Sequence, residues 1–225
     1  MTNPTSPLAA AVEFADNPEP RCPCVLLLDT STSMSGAKID ALNQGLKAFR
    51  DDIVKDAVAA RRVEVAVVSF NSDVSVLQDF VTADQLQIPT LAAGGMTVMG
   101  TGILKALDLV QARKAQYKTN GVSWYRPWIF MITDGEPQGE SDAIVEQATR
   151  RIKDDEDKKR IAFFAVGVES ADMTRLGQIA VRTPVLLRGL NFVEMFVWLS
   201  RSTQAVSRSQ MDQQIALPPP GWGTV

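Results

Sequence analysis

Val25-Leu26-Leu27-Leu28-Asp29-Thr30-Ser31-Thr32-Ser33-Met34 is the stretch whose reading decides the fold. Aliphatic residues run without a polar interruption and end in a carboxylate, after which serines stand at alternate positions. The run is far short of the ~20 residues that cross a bilayer. Its lack of polar alternation is what a strand buried on both faces of a parallel sheet requires. Asp29, Ser31 and Ser33 then gather oxygen donors beside a single fixed charge, a set that suits a hard cation such as Mg²⁺. The first reading is a metal site at the carboxyl end of a central strand. The plainer alternative is that Ser31 and Ser33 cap a helix beginning after Gly36.

Outward from this strand, apolar positions Ile39, Leu42, Leu46, Phe49, Ile53 and Val54 recur at three- and four-residue steps, predicting one amphipathic helix over residues 38–60. Residues 63–70 read as a second strand. The turn Asn71-Ser72-Asp73 leads into Val74, Val76 and Leu77, which pair back as an antiparallel edge. A helix is predicted over residues 99–117, a buried strand over 128–133, and a helix over 141–157. The charge run 153–160 reads as the solvated face and exit of that helix. A strand at 161–168, a short helix at 173–180, a strand at 185–187 and a helix at 191–205 complete the alternation. The expected fold is α/β and doubly wound, with a mostly parallel sheet, one antiparallel edge strand and helices on both faces.

Residues 1–20 read as an N-terminal arm, 21–205 as the domain, and 206–225 as a tail rich in proline. Trp198 is expected in the core, and Trp222 is expected to fold back onto the domain.

Composition closes off several chemistries. Among 225 residues there is no histidine, which excludes a Ser-His-Asp triad and a histidine-bound zinc. The only cysteines, Cys22 and Cys24, are too few for a zinc site and lack the spacing of a redox pair, so buried thiols are expected. A net charge of −3 gives no electrostatic case for nucleic acid or an anionic membrane. The opening residues lack the basic-then-apolar pattern of a secretory leader, so a cytoplasmic location is expected.

In an open parallel sheet, ligands bind at the carboxyl ends of the strands where strand order reverses. Three polar loops belong on that edge: Asp29 to Ser33, Gly94-Gly95-Met96-Thr97, and Thr133-Asp134-Gly135-Glu136. Thr97 is preferred over Thr101, because Thr101 lies inside the following helix where the preceding turn satisfies a hydroxyl. Glu136 and Glu140 read as solvated loop acids. Met34, Met96 and Met99 are candidates for either core packing or an adaptable rim.

These three motifs, in this order, resemble the metal-ion-dependent adhesion site of von Willebrand factor A domains. The similarity runs from about Arg21 to Ser202. Arg21-Cys22-Pro23-Cys24-Val25, Tyr125-Arg126-Pro127-Trp128, Ile132-Thr133-Asp134-Gly135-Glu136-Pro137 and the Trp-bearing tail further resemble the bacterial TerY-like group of tellurite-resistance and stress operons. The resemblance implies a Rossmann-like fold and a metal held by Asp29, Ser31, Ser33, Thr97 and Asp134. It implies Mg²⁺, with Mn²⁺ or Ca²⁺ as alternatives, and a vacant position filled by a carboxylate from a partner protein, such as a kinase or phosphatase of the same system. Thr32 stands where the family commonly has glycine.

The expected function is therefore a metal-dependent protein-interaction module rather than an enzyme. A magnesium-dependent phosphoester hydrolase is the alternative. Against it, the second acid of an aspartyl-nucleophile loop is serine at position 31, and the phosphate-cradling glycine motifs are missing.

Overall fold

The computed structural model describes residues 7–210, 213 and 215–224. Its centre is a seven-stranded sheet of β1 (Cys22–Asp29), β2 (Val63–Phe70), β3 (Val74–Thr82), β4 (Trp128–Thr133), β5 (Ala162–Val168), β6 (Val185–Leu187) and β7 (Gly223–Thr224). They are arranged in the order β3-β2-β1-β4-β5-β6-β7. The inner pairings are parallel, whereas β3 and β7 run antiparallel to their neighbours. The fold is the doubly wound α/β class read from the sequence, with β7 adding a short second antiparallel edge.

All of β1 is buried. Cys24, Leu26 and Leu28 enter one core with α2 (Ala37–Ile53) and α7 (Phe192–Arg208). Val25 and Leu27 enter the other with α4 (Met99–Thr119), α5 (Asp142–Asp157) and α6 (Met173–Ile179). Each aliphatic side chain so buried contributes about 1.5–3 kcal/mol, which explains the absence of polar alternation. Both cysteines are free and buried. Burial pushes the Cys22 thiol up to about 12, with the Glu64 charge adding to the effect, and raises the Cys24 thiol as well. Neither is a ready nucleophile.

The structure differs from the sequence reading in several places. Residues 7–16, read as part of an arm, form helix α1 (Pro7–Asp16). Its Phe14 is buried against Tyr117, with ring centroids 5.6 Å apart. Its Glu13 pairs with Arg113, which also binds the fully buried Glu64 at 2.8 Å. The charge run is not all solvated. Glu156 is buried and receives Arg126 at 2.6 Å, Arg182 at 3.0 Å and the Phe163 N–H at 2.6 Å. In the tail, Trp222 is buried edge-on to the half-buried Trp198 at 5.5 Å, while the Trp198 indole donates to the Pro218 carbonyl at 2.8 Å. Among the described residues no helix is long and apolar enough to cross a membrane.

The long helix expected over 38–60 breaks in two, α2 and α3 (Ala57–Arg62). Asp56 causes the break, since its carboxylate accepts from the Val58 and Ala59 N–H groups at 3.0 and 3.1 Å and caps α3. Arg208 on α7 approaches the same carboxylate to 2.5 Å. Burial works against ionised Asp56, but the bonds from Ala59, Arg208 and Val58 outweigh it and hold its carboxyl below the usual range. Asp56→Ala is expected to cost about 1–2 kcal/mol at neutral pH, read as a shift in urea midpoint. Because the folded-state value lies below the unfolded one, this contribution is complete above the ordinary carboxylate range. It fades as pH falls through the folded value. The two proteins should therefore converge in acid; a difference independent of pH would show that the charge plays no part.

Candidate metal centre

Strand order reverses between β1 and β4, whose register pairs Leu28 with Ile132. The next residues, Asp29 and Thr133, consequently leave the sheet side by side. Asp29 is fully buried. Its Oδ1 accepts the Ser31 N–H at 2.8 Å and its Oδ2 accepts the Thr133 hydroxyl at 2.5 Å. Burial pushes the Asp29 carboxyl above its usual range. Bonds from Ser31 and Thr133 pull it back, and the nearby Asp134 charge pushes it further up.

From Asp29 the chain turns through a short 3₁₀ segment (Thr32–Met34) into α2. Gly36 occupies the N-cap of α2, and Ser31, at the N-cap of the 3₁₀ segment, makes no side-chain capping bond, so the plainer alternative fails. The Ser31 and Ser33 hydroxyls instead lie 3.0 Å apart, and Ser33 Oγ donates to Asp134 Oδ1 at 2.6 Å. Asp29, Ser31, Ser33 and Asp134 thus form one hydrogen-bonded chain across the switch point, with Ser33 exposed at its outer end.

The loop before α4 closes a second side. Gly94 N–H donates to the Thr30 carbonyl at 2.8 Å, and Thr32 binds the Gly95 carbonyl through both its N–H and its hydroxyl at 3.0 Å. Thr32 therefore ties two of the three loops together. Gly95 has φ +84, and a Cβ there would meet Ser72 Oγ at 2.6 Å, so glycine is required. Thr97 exchanges backbone hydrogen bonds with Gln138 at 3.2 and 2.8 Å, which fixes it against the loop after β4. A Cβ placed on Gly135 would lie 3.7 Å from both Ser33 Oγ and Thr97 Oγ1. Both hydroxyls accordingly face the space beside Gly135.

The structure therefore brings Asp29, Ser31, Ser33, Thr97 and Asp134 to one place. Thr101 is elsewhere, exposed and bound through N–H and hydroxyl to Glu140 Oε2 at 2.9 Å. Glu140 is not a solvated acid; its other oxygen receives the Gly100 N–H at 2.6 Å and caps the start of α4. Met34 and Met99 are core residues, while Met96 is exposed on the rim. Two residues at the site escaped the sequence reading. Thr133 opens one of the three polar loops, and nothing in the sequence marks its hydroxyl as the partner of Asp29. Lys38, whose ammonium approaches Asp134 Oδ2 to 2.5 Å, had no signal beyond being a charge in the first turn of a helix.

Among the described residues no three of His, Cys, Asp and Glu cluster as a metal cage. The donors gathered here are two carboxylates and three hydroxyls. An all-oxygen set of this kind fits a hard divalent cation that keeps some of its coordination for water or an outside ligand.

The sequence profile of the von Willebrand factor type A domain matches residues 24–192. The chain belongs to that family. Among solved structures it is similar to a von Willebrand factor type A protein from Catenulispora acidiphila, at 18% identity and TM-score 0.66, covering 82% of this chain and 43% of that one. It is also similar to the vWF domain of the pilus tip protein Mfa5 from Porphyromonas gingivalis, at 11% identity and TM-score 0.64, covering 87% and 99%. Proximal thread matrix protein 1 from the mussel byssus, in a structure described as having a zinc-occupied MIDAS motif, aligns at 13% identity and TM-score 0.55, covering 82% and 48%. The chain spans less than half the length of the first such proteins it matches. A comparison with curated proteins returned no match.

Thr133→Val removes the hydroxyl that binds buried Asp29 while keeping the side chain's shape. Stability should fall by about 1–3 kcal/mol, measured by urea unfolding. The loss should shrink in acid, where a neutral Asp29 depends less on that bond. An unchanged midpoint at neutral pH would remove Thr133 from this account.

Proposed function

We propose that the chain is a metal-dependent protein-interaction module in which Asp29, Ser31, Ser33, Thr97 and Asp134 hold a divalent cation. The observation that carries this reading is the hydrogen-bonded chain from buried Asp29 through Ser31 and Ser33 to Asp134, placed at the reversal of strand order and open to solvent at Ser33. Mg²⁺ is the favoured ion, with Mn²⁺ or Ca²⁺ as alternatives, because every donor is oxygen. A bound divalent ion supplies the largest local charge at such a site and draws a partner's Asp or Glu without a basic patch.

Family membership supports an interaction role. The motifs shared with the TerY-like group support a setting in a bacterial tellurite-resistance or stress system, with a kinase or phosphatase of that system as partner. A cytoplasmic location belongs to the same reading. The hydrolase alternative has no specific support: the position of a second catalytic acid is Ser31, whose hydroxyl does not replace a carboxylate as acid or base.

The Asp29→Ala, Ser31→Ala double variant should lose the thermal stabilisation that Mg²⁺ or Mn²⁺ gives the unaltered protein. It should also lose partner capture, as should the unaltered protein in chelator. Ion at a hundredfold its Kd stabilises a folded protein by roughly 2.7 kcal/mol, well within reach of a melt. Capture retained at full strength in the variant and in chelator would refute the metal bridge. Metal-dependent turnover of a phosphoester, lost in the same variant, would establish the hydrolase instead.

A further inference from the structure

Lys38 stands in the first turn of α2, where the positive end of the helix dipole disfavours a cation. It is nevertheless only 16% exposed, with its ammonium 2.5 Å from Asp134 Oδ2, 3.2 Å from Glu169 and 3.2 Å from the Ser33 carbonyl. Each Asp134 oxygen thereby accepts one bond, one from the Ser33 hydroxyl and the other from Lys38. Glu169 follows β5 in a left-handed conformation with φ 50 and is about half exposed. The lysine thus lies between one acid that belongs to the candidate metal centre and one that stands outside it.

We propose that Lys38 is a tethered cation that competes with the divalent ion for Asp134, and that Glu169 is the acid to which it retreats. This rests on the metal-binding reading above. Lys38 has two consequences of opposite sign. Without an ion, it supplies the positive charge that holds Asp134 against the Ser33 hydroxyl, so that the loops stay assembled. With an ion, a like charge beside Asp134 opposes binding, and the opposition is relieved only as far as the ammonium withdraws toward Glu169. Asp134 and Glu169 face the ammonium, and Asp29 at the same site is bonded only to uncharged groups, so the three carboxylates outnumber the one cation and a divalent ion offsets the excess. Lys38 therefore weakens ion binding.

A lysine that served only to anchor α2 would behave differently, since its loss would weaken fold and ion binding together. The test is calorimetric titration of the full chain with MgCl₂ and with MnCl₂ at low ionic strength, for the unaltered protein, Lys38→Met and Lys38→Arg. Lys38→Met keeps the aliphatic stem and should bind the ion about tenfold more tightly, the effect of one partly exposed charge. Its ion-free form should melt below the unaltered protein. Lys38→Arg, which keeps the charge, should stay near the unaltered affinity, and the gain in Lys38→Met should narrow at high salt. If the unaltered protein binds and Lys38→Met binds no more tightly, or if Lys38→Arg gains as much as Lys38→Met, the competition is refuted and the metal reading stands. If neither the unaltered protein nor Lys38→Met binds either ion, both fall together.

Discussion

The burial of one carboxylate at the end of β1 governs the geometry around it. A carboxylate without solvent exposure costs several kcal/mol unless its oxygens are bonded, and Asp29 meets that demand with the Ser31 N–H and the Thr133 hydroxyl. Both partners constrain the fold. Thr133 can reach Asp29 only if β4 lies beside β1 in the observed register, which is the point where strand order reverses. Ser31 N–H can turn back only if the backbone leaves the sheet at once, and that turn starts the 3₁₀ segment and sends Ser33 outward. Satisfying Asp29 therefore also builds the rim where Ser33 meets Asp134.

The opposite end of the sheet holds a second buried carboxylate, Glu64 on β2, and solves the same problem with charge. Arg21 binds it at 2.7 Å and Arg113 at 2.8 Å, Tyr117 donates to it, and Glu13 of α1 balances the second arginine. Two guanidiniums against two carboxylates leave nothing for an outside ion to add. At Asp29 the bonding groups are an amide and a hydroxyl, and neither neutralises the charge. The contrast identifies one pole as a closed structural lock around α1 and the other as a site still short of positive charge.

What was legible in the sequence follows from the range of the interactions involved. The uninterrupted run before Asp29 reports burial on both faces of a strand, so the sheet and the loops at its carboxyl edge could be read locally. Asp29, Ser31, Ser33, Thr97 and Asp134 each follow or precede a recognisable element, and the fold then has little choice but to bring those ends together. Helix α1, Glu156 and Glu140 were misread for the opposite reason. Their charges are satisfied by arginines or helix termini remote in sequence, and a run of charges looks the same whether solvated or buried against such partners. Lys38 is the sharpest case, since helix periodicity marks it as surface and only Asp134, 96 positions later, makes it part of the site. The break at Asp56 was legible in principle from a capping residue between two apolar runs, but continuous periodicity on either side masked it.

The balance of hydroxyls over carboxylates bears on what this site can do. A cage of several carboxylates would satisfy a divalent ion's charge from within and leave no reason for an outside anion to bind. Asp29 and Asp134 match that charge only formally. Asp29 spends both oxygens on Ser31 and Thr133, and Asp134 shares its own with Ser33 and Lys38. Neutral hydroxyls would supply the remaining donors, so an ion held by these residues would keep coordination positions for water or an outside ligand. Thr32 stitches the Gly95 loop to the serine turn beside these donors. An ion bound by so few charged donors would accept a carboxylate from outside the chain, and that is the physical basis of the proposed interaction role.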